Sequence, residues 1–217
     1  MRTTSNQHRK SSQGFTLIEM IGVLAVIAIL ASMLIPKIFE AINSARINNT
    51  VQSYNSIKTA VLDHYGKFGA LNYNGSTQAP ATALELAAYD TGILLPETMI
   101  DKPFRARVGI SWQIAAVAGV AAATLPNADP AAFNLDGTGV ANDAAPATLV
   151  VEAVITGVAM ADALEISERL DGVNVAAAAV NLSNPPASLA ADPNGRVKYG
   201  APAADGTTTV YIYICHR

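Results

Sequence analysis

Gly14-Phe15-Thr16-Leu17-Ile18-Glu19-Met20-Ile21-Gly22-Val23-Leu24-Ala25-Val26-Ile27-Ala28-Ile29-Leu30 opens an apolar run that continues to Pro36 and Phe39. From Phe15 to Ile35 the one charged side chain is Glu19. About 20 apolar residues at a rise of 1.5 Å each cover about 30 Å, the hydrocarbon thickness of a bilayer. The run therefore predicts a membrane-spanning helix. Ahead of it lies a short basic segment with Arg2, His8, Arg9 and Lys10 and no acid. Positive flanks stay cytoplasmic, so the N-terminus is expected inside and Lys37 to Arg217 outside.

A secretory signal peptide would place its apolar region before a small-residue cut. Ala28 and Ala31 imitate such a site only loosely, and Glu19 would sit inside the apolar core. The arrangement here suits the opposite outcome, in which residues 1–14 leave as a polar leader and the apolar part stays. An acid inside hydrocarbon is expensive and usually faces a partner. Cutting after Gly14 would create an amine four residues before Glu19. That amine does not readily fold back onto its own helix, because the first-turn N–H groups point the same way, and a neighbour's amine is the natural partner. The alternative is that Glu19 answers only the partial positive charge of a helix N-terminus, a small stabilisation beside the penalty of burial in lipid.

The stretch Gly14-Phe15-Thr16-Leu17-Ile18-Glu19, with its basic leader and unbroken apolar run, resembles the type IV pilins and the pseudopilins of type II secretion. The resemblance is specific from Arg9 to Lys37 and weak beyond. It implies cleavage between Gly14 and Phe15 by a prepilin peptidase and N-methylation of Phe15. It implies that Glu19 pairs with the Phe15 amine of a neighbouring subunit during assembly. Pro36 matches a proline of many pilins, where the helix loosens in the filament. The implied fold is α+β and pilin-like, with one long N-terminal helix packed on an antiparallel sheet head. The implied partners are further copies of the chain in a helical filament, an inner-membrane platform protein and an assembly ATPase. The implied location is the inner membrane before assembly, then an extracellular pilus or a periplasmic pseudopilus.

Composition agrees with a structural role. Of 217 residues, 51% are hydrophobic and 14% charged, which suits one domain with an appended apolar segment. Loss of the leader takes Lys and Arg from 14 to 11 against 17 acids, moving the net charge from -3 to -6. An acidic chain is a poor nucleic-acid binder, and no nucleic acid is expected. Cys215 is the single cysteine, so the C-terminal disulfide of many pilins is impossible here; a buried free thiol is expected in preference to an interchain bridge. His64 and His216 have no local partner pattern, and no nucleophile elbow, phosphate loop or zinc spacing occurs, so no enzyme is expected. No cofactor is expected either. Calcium is the one candidate, through Asn134 and Asp136 in one loop and Asp192 and Asn194 in another; ordinary Asx-Gly turns account for the same residues.

Past Pro36, Ile38, Ile42, Ala45, Ile47, Val51, Tyr54, Ile57, Val61, Tyr65 and Phe68 recur at spacings of three and four, which predicts one amphipathic continuation. Phe15 to about Phe68 is expected as a single helix, roughly 80 Å long at 1.5 Å per residue, and residues 69–217 as the head. The competing expectation is two helices broken at Pro36. Thr82 to Tyr89 reads as a short helix with Thr82 as N-cap and Glu85 three residues on. Strands are expected at Val108–Val117, Thr148–Gly157, Val173–Leu182, Arg196–Tyr199 and Thr207–Ile214, the last two as a hairpin, with a helix at Asp162–Leu170. Two other functions fit the sequence: a pseudopilin of a secretion system, and a single-pass membrane-anchored binding domain that keeps its leader and never polymerises.

Overall fold

The computed structural model describes residues 14–119, 132–135, 143–144, 149–172 and 195–217. Its dominant element is helix α1, Leu17–Phe68, which runs through Pro36 without a break. The expected single helix is thus present, and the two-helix alternative is not. A proline lacks the N–H that would bond the carbonyl of Ser32 four residues back, so the ladder is weakened there but not interrupted. Gly69, with φ +72, ends the helix in the left-handed conformation, and its N–H bonds the Tyr65 carbonyl at 2.8 Å.

Contacts divide the chain into two compact units, with the boundary between Ser44 and Ala45 inside α1. In the first, described from residue 14 to 44, the helix is apolar on every side from Ile21 to Ile35, Ser32 apart. Phe15, Leu17, Ile18, Leu30, Ile35 and Phe39 are all exposed, Phe15 at 78%. A helix with no polar face belongs in lipid or in a bundle of its own kind. Among the described helices it is the one long and apolar enough to cross a membrane.

The second unit is the head. Its part of α1 buries Ile47, Thr50, Tyr54, Ile57, Ala60, Val61 and His64 on one stripe. The stripe differs from the expected one at both ends. Ile38, Ile42 and Ala45 are exposed, and Tyr65 and Phe68 are only half-buried. Two polar residues complete it because each finds a partner: the Thr50 hydroxyl accepts the Arg107 N–H at 2.9 Å, and His64 meets Glu97.

After α1 come the two-residue strands β1 (Tyr73–Asn74) and β2 (Ala79–Pro80), helix α2 (Ala83–Ala87) and a π-helical turn, Asp90–Leu94. Helix α2 begins as expected, in a capping box: the Glu85 N–H donates to the Thr82 hydroxyl and the Thr82 N–H to the Glu85 carboxylate. Strand β3 (Ser111–Ala118) starts three residues later than expected, since Gly109 at φ +77 turns the chain before it. Then follow β4 (Leu149–Ala159), helix α3 (Met160–Asp171), β5 (Val197–Tyr199) and β6 (Thr207–His216). The expected strand Val173–Leu182 lies outside the described residues.

The four long-sheet strands are all antiparallel, in the order β3-β4-β6-β5. Strand β6 alternates, with Thr208, Val210, Ile212 and Ile214 buried, the period-two pattern of a strand whose one face meets the core. Central strand β4 is buried on both faces from Val150 to Ile155. Its register against β6 slips between Ile155 and Val158, where Gly157 takes φ +66 and a Cβ would lie 2.6 Å from Ile110. Only glycine fits that bulge.

The core joins α1 to the sheet: Ile47, Tyr54, Ile57 and Val61 pack with Ile114, Val151, Ile155, Val210 and Ile212. The Tyr54 hydroxyl donates to the Tyr213 carbonyl at 2.5 Å and ties helix to strand. On the other face a smaller cluster holds Phe133, Ala144 and Val150. Lys198 is buried beside it, donating to the Ala132 carbonyl at 2.7 Å and lying 4.4 Å over the Phe133 ring. A long N-terminal helix packed on antiparallel strands is an α+β, pilin-like arrangement.

Candidate functional site

The residues singled out at the N-terminal end fall at one place. Gly14, Phe15 and Thr16 are non-helical and exposed, immediately before α1. A peptide bond there, between Gly14 and Phe15, is accessible. Nothing in the folded chain demands glycine at 14, because an added Cβ would meet no atom within 4 Å and the backbone is not left-handed.

Glu19 has a partner within its own turn. Its Oε2 accepts the Thr16 backbone N–H at 2.8 Å and the Thr16 hydroxyl at 2.7 Å. The Glu19 N–H reaches back to the Thr16 hydroxyl oxygen at 3.4 Å, and the Met20 N–H bonds the Thr16 carbonyl at 3.2 Å. This is a capping box, with Thr16 as N-cap and Glu19 three residues on. The Thr16-x-x-Glu19 spacing is the local signal of this cap, which the helix dipole and a neighbour's amine alone do not include. The cap engages Oε2, and among the described residues Oε1 has no hydrogen-bond partner. Pro36 sits mid-helix, next to the exposed Lys37–Glu40 ion pair at 2.9 Å.

The calcium candidates divide. Asn134 is fully buried, and its backbone carbonyl accepts the Gly195 N–H at 2.7 Å. Asp136, Asp192 and Asn194 lie outside the described residues. Among the described residues no group of three or more His, Cys, Asp or Glu side chains is gathered to hold a metal.

Two polar arrangements in the head escaped sequence reasoning. His64 is fully buried and its Nδ1 lies 2.7 Å from Glu97 Oε2, while Glu97 Oε1 accepts the Gly75 N–H at 2.5 Å. The pair staples α1 to the turn after β1, and the His64 ring lies 4.9 Å from the Phe68 ring, tilted 50° to it. Asp90 Oδ2 accepts the Phe104 N–H at 2.9 Å; burial holds the Asp90 carboxyl above its usual range, opposed by that hydrogen bond. Both partners are distant in sequence, so no local pattern announced them. Cys215 is a half-buried free thiol pushed up to about 12 by burial, which keeps it protonated and inert.

No curated protein and no solved structure matches the chain. Residues 9–35 match the family model described as the prokaryotic N-terminal methylation motif. That motif marks structural, pilin-type subunits and not a catalytic family. It coincides with the accessible Gly14–Phe15 bond, the Thr16–Glu19 cap and the exposed apolar start of α1. The chain thus carries the signal of a type IV pilin-like or pseudopilin precursor, which fits membrane anchoring and implies prepilin-peptidase processing and filament assembly.

Proposed function

We propose that this chain is a structural subunit of a type IV pilus-like filament. The observation that carries the reading is the exposed, all-round apolar start of α1, preceded by an accessible Gly14–Phe15 bond. Residues 1–14 leave as the leader, the new amine of Phe15 is methylated, and the mature protein waits in the inner membrane on its apolar helix. Its head, residues 69–217 with the second part of α1, faces outward. The platform protein and assembly ATPase then add it to the filament, where apolar helices pack side by side.

The Thr16–Glu19 cap gives the registry step a physical form. Thr16 holds one carboxylate oxygen at the mouth of the helix, and the other oxygen accepts the Phe15 ammonium of an incoming subunit. Two opposite charges in a low-dielectric surround attract strongly, and a mismatched register leaves both unpaired. Pro36 is the point at which the helix loosens on packing, since its missing N–H leaves the Ser32 carbonyl without a helical donor.

The test is mass spectrometry of the N-terminal peptide from sheared cell-surface material. A peptide beginning at methylated Phe15 in the sheared fraction is expected. The same peptide confined to the envelope fraction would move the protein to a secretion pseudopilus. An intact leader on the working protein would refute processing and leave a membrane-anchored domain.

A further inference from the structure

The strongest unassigned feature of the head is a basic groove of about 900 Å3 between α1 and the segment 99–107, lined by Asn49, Ser53, Ser56, Lys102, Arg105 and Arg107. The run Phe104-Arg105-Ala106-Arg107-Val108 alternates buried and exposed, with Phe104, Ala106 and Val108 inside and both arginines outside. The backbone of that run is pinned. The Phe104 N–H is held by Asp90, the Arg107 N–H by Thr50, and the Arg105 N–H approaches the Ser53 hydroxyl at 3.5 Å. Arg46 adds a fourth cation, its Nε bonding the Arg107 carbonyl at 2.9 Å. Among the described residues, Lys102, Arg105 and Arg107 make no ion pair, and Asp101 is the one acid on the lining. The groove is far larger than one small anion needs, and it asks for an acidic element.

We propose that this groove receives the carboxylate-bearing face of α3 from a neighbouring copy of the chain. The inference rests on the filament-subunit reading. Charge complementarity selects the occupant. With the leader gone and the groove's four cations and one acid set aside, a copy carries 16 acids against 7 bases. Spacing selects the element. Residues two apart on extended chain are separated by about 6.6 Å, and residues three apart on a helix by about 5–6 Å. Asp162, Glu165 and Glu168 recur every three residues on α3, the described helix with such a row, and Glu168 makes no ion pair among the described residues. Glu165 also bonds Arg169 within the helix, and that guanidinium bonds Asn48. At about 100° per residue, Asn49, Ser53 and Ser56 are turned about 80–140° round α1 from Asn48. Groove and α3 therefore occupy two flanks of one helix. A contact between unlike patches does not close on itself in a pair, and it propagates.

The test is charge reversal in full-length protein, made in cells with the filament machinery. R105E/R107E is expected to cut sheared filaments about tenfold or more, as like charges face each other across the contact. Processed protein in the membrane should stay at wild-type level. Adding E165K/E168K to the same chain should restore filaments. Wild-type filament yield from R105E/R107E, or no rescue by the swap, overturns the inference. Where a reversed chain fails to accumulate, R107C with E168C on a C215S background replaces it. Oxidation should give a ladder of cross-linked oligomers, and monomer alone overturns the contact. Vesicles rich in phosphatidylglycerol supply the competing anion. Binding to them that R105E/R107E abolishes, with no rescue by α3, assigns the groove to lipid phosphate and overturns the copy-to-copy contact. Absence of any filament from wild-type protein fails the filament reading itself, whereas wild-type filaments indifferent to the reversal fail only this inference.

Discussion

Helix α1 contains two regions with one backbone and opposite chemistry. Up to Ser44 its large apolar side chains are exposed on every side, whereas from Ala45 onward the large apolar side chains, exposed Leu62 apart, lie on one stripe that is buried or half-buried. Both are α-helical, with the one missing backbone donor at Pro36 in the first, so secondary structure does not distinguish them. What differs is where the apolar surface is satisfied. The second region meets its sheet within the same molecule. The first leaves its apolar side chains exposed among the described residues, the surface of a helix suited to lipid or to a bundle of its own kind. The same residue type thus has different jobs on the two sides of the boundary.

The sharpest way to break that comparison acts on assembly. On the proposed registry role, Glu19→Ala removes the carboxylate that would meet an incoming amine, and sheared filament is expected to fall about tenfold or more, while membrane insertion persists. Normal filaments from Glu19→Ala would remove the registry role. Thr16→Ala keeps the carboxylate but frees it from its cap, and a smaller reduction is expected in the same assay.

Stability measurements sharpen the comparison. Ile57 is 3% exposed in the head core, and Ile57→Ala is expected to destabilise the head by about 2–5 kcal/mol in denaturant unfolding. Ile27→Ala, on the exposed region, is expected to change head unfolding by less than about 0.5 kcal/mol. Equal effects would show that the boundary at Ser44/Ala45 is not a boundary in stability.

Glu97→Ala comes next. It leaves the buried His64 ring nitrogen and the Gly75 N–H without their acceptor, with an expected loss of about 1–3 kcal/mol by the same measurement. The pH dependence is the smallest effect. The folded Cys215 thiol ionises near 12, above its ordinary 9.0. Between those values the unfolded chain gives up the proton and the folded chain keeps it, so head stability should fall as pH rises through that window. Cys215→Ala should flatten this decline, and an unchanged alkaline slope would assign it to the tyrosines instead. Tyr213, also raised to about 12 by burial, is the first of these to test.

Much of this was legible in the sequence because it is written locally. The apolar run, Glu19, the glycine at 14 and the three-four spacing after Pro36 lie within a few turns of one another. So do the Thr82–Glu85 box and the alternation of β6. Continuity through Pro36 was legible only as one of two options, since a proline tolerates a kink as well as a stop. The stripe's true members were not legible. Ile42 fits the spacing and stays exposed, while His64 breaks the hydropathy and is fully buried. A polar side chain enters a core only when its partner is brought there, and Glu97 is 33 positions away. Buried Glu152 and Lys198 illustrate the same point, as both sit within runs that read as ordinary strand.

The sequence by itself determined the methylation-type motif, the long apolar run with its single acid, the helical continuation past Pro36 and the class of fold. Each follows from composition and period within one segment, where a helix or strand can be recognised by the face it must hide. Only the tertiary structure decided which polar residues the core accepts, where along the helix the buried stripe begins and ends, and that Arg105 and Arg107 stand together over a groove. Those depend on pairs far apart along the chain, and the free energy of such pairs exists only once packing has excluded water and fixed their geometry.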